Sequence, residues 1–224
     1  MPRTNRAAPG GYVYHVLNRG VGRMRLFDKT RDYEAFEEVL GETLAKVRLR
    51  VCAFSVMPNH WHFVVWPEED GQLGVFFQRL GVTHVTRWSR AKGRVGYGHV
   101  YQGRFKSFPV ETEDYFYQVV RYAERNALRA NLVSDAAQWR WSSLWIREHG
   151  TKAQRGWLSP WPVPRPRNWL SYVNGAETEA ELKALRHSVQ RGTPYGSETW
   201  VSATAERLRL QSTLRGRERP RKTE

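Results

Sequence analysis

No stretch limits the possible folds of this chain more than Ser55-Val56-Met57-Pro58-Asn59-His60-Trp61-His62-Phe63-Val64-Val65-Trp66. It is an apolar run interrupted by two histidines one residue apart. Side chains on a strand alternate between faces, so an extended run puts His60 and His62 on one face. Trp61, Phe63 and Val65 take the other and need a core to pack into. Pro58 and Asn59, just before the pair, mark a turn into the strand rather than its middle. Two imidazoles at this spacing are either a pair of satisfied polar groups or two ligands to one cation, and the motif alone admits both.

The neighbouring segments supply the sheet and its cover. Tyr12 to Asn18 is rich in strand formers and predicts a first strand. Asn18-Arg19-Gly20-Val21-Gly22-Arg23 reads as a basic loop, its glycines serving either an ordinary turn or the close approach of a phosphate. Phe36, Val39, Leu40, Leu44 and Val47 fall at helical spacing and predict an amphipathic helix over 32–48. Val51 to Val56 predicts a strand turning into the histidine strand. Gln72 to Lys92 returns to helical periodicity through Leu73, Phe76, Phe77 and Leu80 and ends in basic Arg87, Arg90 and Lys92.

After the glycine-punctuated segment 93–103, Arg104 to Val110 predicts the last strand. Its exposed face is expected to carry Tyr101, Arg104 and Lys106, either as protective edge charges or as contacts to a nucleic-acid backbone. Thr112 is the expected cap of a helix running towards Asn126, with Glu113 and Asp114 in its first turn. On that helix Tyr122 and Asn126, four residues apart, share a face, with Tyr115 two turns earlier on a similar side. Arg121, Arg125 and Arg129 are either phosphate contacts or a solvated face. Strand, helix, strand, strand, helix and strand form a split β-α-β pattern.

A formal net charge of +14, from 36 Lys and Arg against 22 Asp and Glu in 224 residues, calls for a polyanionic partner. With arginines to fork onto phosphate and abundant Trp and Tyr to stack on unpaired bases, that partner is nucleic acid rather than a membrane. The candidate DNA contacts are Arg19, Arg23, Arg87, Arg90, Tyr101, Arg104, Lys106, Arg121 and Arg125. A single cysteine, Cys52, excludes an intrachain disulfide and a cysteine-based zinc site. No apolar run approaches about eighteen residues, and residues 1–11 lack a signal-peptide core, so a cytoplasmic, nucleoid-associated protein is expected.

Four motifs then carry a family resemblance: Tyr14-His15-Val16 with Asn18-Arg19-Gly20, Met57-Pro58-Asn59-His60-Trp61-His62, Gln102-Gly103-Arg104-Phe105, and Arg121-Tyr122-Ala123-Glu124-Arg125-Asn126. Together they resemble the HUH single-strand transposases, and among these the REP-associated tyrosine transposases, over roughly residues 11–145. The resemblance implies a ferredoxin-like (RRM-like) α+β domain, an antiparallel sheet with helices on one face. It also implies metal ligation by His60, His62 and Asn126 and a nucleophilic Tyr122. The implied cofactor is Mg²⁺ or Mn²⁺, which leaves open positions for a scissile phosphate oxygen. The implied reaction is cleavage and rejoining of single-stranded DNA with hairpins, such as REP-like palindromes, through a 5′-phosphotyrosine. The alternative is a catalytically silent hairpin DNA- or RNA-binding regulator on the same fold. Two departures stand out: Ala127 follows Asn126 where many relatives have proline, and insertion-sequence enzymes usually carry Gln in place of Asn126. Either a monomer or a homodimer is compatible with the resemblance.

The expected organisation is a catalytic domain over 1–145, a Trp- and Pro-rich linker over 146–168, and a C-terminal helical extension over 169–224. That extension is expected to hold helices near 177–190 and 199–214, then a basic tail.

Overall fold

The computed structural model of the protein describes residues 8–215. Its centre is one four-stranded antiparallel sheet built from β1 (Val13–Arg19), β2 (Arg50–Met57), β3 (His60–Trp66) and β4 (Lys106–Val110), in the order β2-β3-β1-β4. The histidine strand β3 is therefore internal, with β1 and β2 on either side. This is the α+β class expected from the sequence.

One face is covered by α1 (Thr30–Lys46) and α2 (Gln72–Ala91). The helical stripes read from sequence, Phe36 and Leu40 on α1 and Leu73, Phe76, Phe77 and Leu80 on α2, pack there against Tyr14, Val16, Phe54, Trp61, Phe63 and Val65. A polar chain crosses this core. The Trp61 indole N–H donates to the Tyr101 hydroxyl at 2.9 Å, which leaves that O–H to donate to Nδ1 of His84 at 2.8 Å.

Tyr101 thus corrects one expectation: it is a core residue, 7% exposed, and no surface for DNA. The reason is local. Residues 100–102 pair with 19–21, through a Gly20–Tyr101 bridge and the bonds Val21 N to Val100 O and Gln102 N to Arg19 O, both 2.9 Å, and this turns the ring inward. Gly20 also serves the protein's own loop. A Cβ there would lie 2.5 Å from the Met24 carbonyl oxygen, so the loop itself requires glycine at this position.

The second face is closed as well, by α3 (Asp114–Glu124). Phe116, Val119, Val120 and Ala123 lie on Val13, Ala53, Val64, Phe108 and Val110. The expected cap Thr112 is not the cap. The chain turns one residue later, at Glu113 with φ +72°, which makes no side-chain capping bond. A short α4 (Asn126–Arg129) continues from α3.

Beyond residue 142 the chain wraps this body. The segment expected to be a linker begins as α5 (Ser143–His149) and α6 (Lys152–Arg155), capped by the side chains of Ser142 and Thr151, and is irregular only afterwards. Trp161 donates its indole N–H to Cys52 O at 2.8 Å. Trp169 and Val173 of α7 (Trp169–Asn174) and Leu182 and Leu185 of α8 (Glu179–Arg191) belong to the same apolar cluster as Phe116 and Val119. The last predicted helix is divided into α9 (Glu198–Arg207) and α10 (Gln211–Leu214). The basic tail beyond Arg215 lies outside the described residues.

Both sheet edges are covered by this wrapping chain. Leu158 bridges Val51 beside β2, with Ser159 N bonded to Val51 O at 2.9 Å. Tyr195 bridges Val110 beside β4, with its N–H on Pro109 O at 2.9 Å. Covered edges cannot recruit foreign strands. A buried carboxylate ties the layers: Glu124 at the end of α3 accepts from Ser143 Oγ at 2.5 Å and from the Trp169 indole at 2.8 Å. Among the described residues no helix is long and apolar enough to cross a membrane.

Burial lowers the pKa of His84 to about 3, so the folded chain refuses a proton that the unfolded chain takes up below about 6.5. The contribution of this histidine is intact above 6.5 and is lost as pH falls towards 3. His84→Gln keeps an acceptor for Tyr101 and removes the titration. In urea unfolding from pH 7 to 4, the stability difference between wild type and His84→Gln is predicted to change by up to about 1.4 kcal/mol per pH unit, against wild type as pH falls. Parallel profiles would contradict it.

Candidate metal and nucleophile site

Strand register places the polar residues. Across β1 and β3, Leu17 lies opposite His62 and Arg19 opposite His60, and across β1 and β4, Leu17 lies opposite Lys106. Directly opposed residues share a face. His60, His62, Arg19 and Lys106 are therefore all on the α3 side. His62 is 2% exposed, whereas His60, at the mouth of β3, is only half-buried. The pair is reached from the His60 end.

The hydrogen bonds decide the tautomer of His60. Asn59 Nδ2 donates to Arg23 O at 3.2 Å, so its Oδ1 is the atom 2.6 Å from His60 Nδ1 and must accept a proton from it. Nε2 then carries the ring's lone pair and accepts from the Asn126 carboxamide N–H at 3.4 Å. Burial, and then the nearby Arg19 and Arg129 cations, lowers the pKa of His60 to about 3. His62 is held well below the usual imidazole range by burial first, then by His60 and His15. Both rings are neutral at physiological pH, the form in which imidazole ligates a metal.

Tyr122 and Asn126 arrive from the other layer. Asn126 opens α4 rather than ending α3, but Arg125 between them keeps helical angles, and the bonds Arg125 N to Arg121 O and Ala130 N to Asn126 O carry the repeat through. The four-residue spacing therefore still aligns the two side chains. The Tyr122 ring stands edge-on to His62, centroids 5.7 Å apart, and to His15, 6.0 Å apart. Its face is covered by the Arg129 guanidinium at 4.2 Å. Tyr115 is elsewhere, edge-on to Tyr195 at 5.4 Å.

Several expected DNA contacts are spent inside the protein. Arg121, 6% exposed, pairs with Glu181 at 2.9 Å and lies over the Tyr172 ring. Arg125 donates to Val173 O and Asn174 O at 3.0 and 2.6 Å, satisfying carbonyls at the end of α7. Arg129 pairs with Glu177 at 2.7 Å. These three arginines hold the C-terminal extension onto the tyrosine helix, which their even spacing on a helix could not reveal. Arg87 donates two hydrogen bonds to the Glu42 carboxylate across α1 and α2, on the face away from the histidines. Arg23, Arg104 and Lys106 are exposed, as is Arg90 at the end of α2. Arg19 is half-buried beside His60, its Nε buried without a hydrogen-bond partner among the described residues.

Three participants were not legible as such. His15 of β1 sits with Nε2 3.0 Å from His62 Nδ1. It lies on the histidine face by period-two alternation, yet only strand pairing shows which residue it meets. Asn59 reads as a turn residue and also orients His60. Arg129 reads as a surface cation and covers Tyr122.

The donors fit a divalent cation. Among the described residues no three His, Cys, Asp or Glu side chains form a metal cage. A cation here would rest on His60 Nε2, His62 and the carboxamide oxygen of Asn126, which must turn to replace the nitrogen that now faces His60, a weak set that gains from an added phosphate oxygen.

The extension clamp yields a prediction. The Glu177 side chain is 3% exposed, and its one carboxylate is shared between Arg129 and Arg125. Glu177→Ala takes the carboxylate from both guanidinium groups, leaving them only carbonyl partners, and is predicted to lower stability by about 2 kcal/mol in urea unfolding. Unchanged stability would mean that the clamp contributes nothing to holding the extension.

The family model described as "Transposase IS200 like" matches residues 10–126, from the start of β1 to Asn126. No curated protein matches the chain. A solved REP-associated tyrosine transposase bound to a REP hairpin is similar in fold, with TM-score 0.53, 18% identity, and coverage of 69% of this chain and 90% of that one. A solved protein from Deinococcus radiodurans R1 described as a transposase matches with TM-score 0.39 and 14% identity, covering 58% of this chain and 92% of that one.

Proposed function

The chain belongs to the IS200-like transposase family, and from that premise we propose that it is a metal-dependent endonuclease and strand transferase acting on hairpin-bearing single-stranded DNA, with Tyr122 as nucleophile. The observation that carries this reading is the convergence of Tyr122, Asn126, His60 and His62 from two layers onto one face of the sheet. A stability role needs no such meeting of a phenol, a carboxamide and two neutral imidazoles.

His60, His62 and Asn126 would hold Mg²⁺ or Mn²⁺. When bound, the ion supplies Lewis-acid stabilisation of charge on the scissile phosphate. The chain's own groups do the rest. Tyr122 Oη gives up its proton and bonds to phosphorus while the bond from phosphorus to the 3′ oxygen breaks, and that oxygen takes up a proton, giving a 5′-phosphotyrosine and a 3′-hydroxyl. The covalent link keeps the phosphodiester energy for rejoining. Arg129 over the ring and the edges of His15 and His62 limit where the phenol can point, which favours a near-attack geometry.

Arg19 beside His60 and Lys106 two strands from His62 would contact the phosphates on either side of the reacting one. Arg23 and Arg104 lie on adjacent loops, tied by the bond from Val21 N to Val100 O at 2.9 Å. The fold-similar REP-associated protein was solved with a REP hairpin, and the same class of ligand, a palindromic hairpin with a single-stranded flank, is proposed here.

The test is a denaturing gel with end-labelled hairpin DNA. Wild type with Mn²⁺ is predicted to give a cut strand and a protein-linked strand, both abolished by chelation and by His60→Ala/His62→Ala. Tyr122→Phe is predicted to bind the hairpin within about twofold of wild type and to lose at least a thousandfold in cleavage, as removal of a nucleophile does. Wild type that binds the hairpin and never cuts it would instead support a silent regulator.

A further inference from the structure

The two proposed ligands differ in what their second nitrogen meets. His60 Nδ1 is held by a carboxamide of known orientation, so its tautomer follows. His62 Nδ1 meets another imidazole, Nε2 of His15, at 3.0 Å. The two ring planes are 17° apart with centroids 5.0 Å apart. The nitrogens are closer than the roughly 3.5 Å at which stacked atoms rest, so this is an N–H···N bond running along the ring planes.

We propose that His15 is a positioning residue that accepts the Nδ1 proton of His62, leaving the Nε2 lone pair of His62 free to face the cation. This rests on the metal site put forward above. A single proton occupies the bond between two neutral rings. If His62 donates it, His62 Nε2 is a lone pair; if His15 donates it, His62 Nε2 carries hydrogen and cannot ligate. A ligating histidine commonly has its other ring nitrogen engaged in this way, and the partner sets ring orientation and basicity.

The surroundings of His15 suit it for that task and for little else. It is fully buried, 0% exposed. Phe108 packs on it at 4.9 Å and Tyr122 stands edge-on at 6.0 Å. Val64 lies opposite it on β3. Its Nδ1 has no hydrogen-bond partner. Among the described residues His62 is therefore the group its polar atoms serve. The same Phe108 and Tyr122 contacts keep the ring from turning away, so the acceptor is held ready. A core histidine with one unmatched nitrogen is a cost that an apolar residue would avoid, and the bond to His62 gives a reason to bear it.

The experiment has a metal-free arm and a metal-binding arm. Long-range ¹⁵N correlation spectra of histidine-labelled, metal-free wild type are predicted to show His62 protonated at Nδ1. A His62 protonated at Nε2 overturns the proposal, and this measurement needs no variant to fold. In the second arm, Mn²⁺ is titrated calorimetrically in the presence of unmodified hairpin DNA, with Tyr122→Phe as the common background of every protein compared so that the strand stays uncut. His15→Phe keeps a ring without the acceptor and is predicted to weaken Mn²⁺ by about 10- to 100-fold. His15→Gln, whose amide oxygen reaches the position of Nε2, restores affinity to near wild type. Hairpin affinity without metal stays unchanged in both. Equal Mn²⁺ affinity in His15→Phe and wild type overturns the positioning role. His62→Ala separates the two readings: if it too binds Mn²⁺ as tightly as wild type, the metal site itself falls and the proposal with it, whereas a loss in His62→Ala alone leaves the site standing without His15.

Discussion

The register between β1 and β3 is the constraint on which the rest depends. Leu17 opposite His62 and Arg19 opposite His60 decide that His15, His62, His60 and Arg19 share the α3 side. A slip of one residue in either strand would send the histidines into the aromatic core and Trp61 and Phe63 out of it. The register is held from the opposite face, where Trp61 is stacked on Phe77 with centroids 5.5 Å apart and bonded to Tyr101. The apolar residues between the histidines are thus what positions the histidines.

Charge has two distinct uses in this chain. The excess of basic residues reads from sequence as a nucleic-acid footprint, and Arg23, Arg104 and Lys106 do remain exposed. Arg121, Arg125 and Arg129, on the helix of the tyrosine, are instead occupied by Glu181, Glu177 and the last carbonyls of α7. Glu124 on the same helix is enclosed by Ser143 and Trp169. The extension is thereby fastened to the element that carries Tyr122, and its tryptophans and leucines complete the cover of the sheet's second face. A nucleophile on a helix held at several points loses little freedom when DNA arrives.

What was legible followed from periodicity and from motif. The alternation at His60-Trp61-His62-Phe63 and the stripes of α1 and α2 gave the strands, the helices and the class of fold, with bounds shifted by a residue or two. Fates that depend on pairing between distant segments were not legible. Tyr101 is turned inward by a bridge to Gly20, 81 residues earlier in the chain. His15 gains its meaning from a neighbour on β3. Arg121 looks the same in sequence whether it meets a phosphate or Glu181. The Trp- and Pro-rich stretch after 155 suggested an extended linker or wrapping segment packed on the domain, but the extension's short helices bury only a few side chains each, so which surfaces they meet was hidden.

The central claim is that Tyr122, rather than another of the chain's tyrosines, forms the covalent bond to DNA beside His60, His62 and Asn126. Peptide mass spectrometry of the protein trapped on hairpin DNA with Mn²⁺ tests it most directly, after nuclease trimming to a short remnant. The account predicts a nucleotide-bearing peptide with the modification on Tyr122 through a 5′ phosphate. An adduct on Tyr115 or another residue, or a 3′-phosphate link, would contradict it.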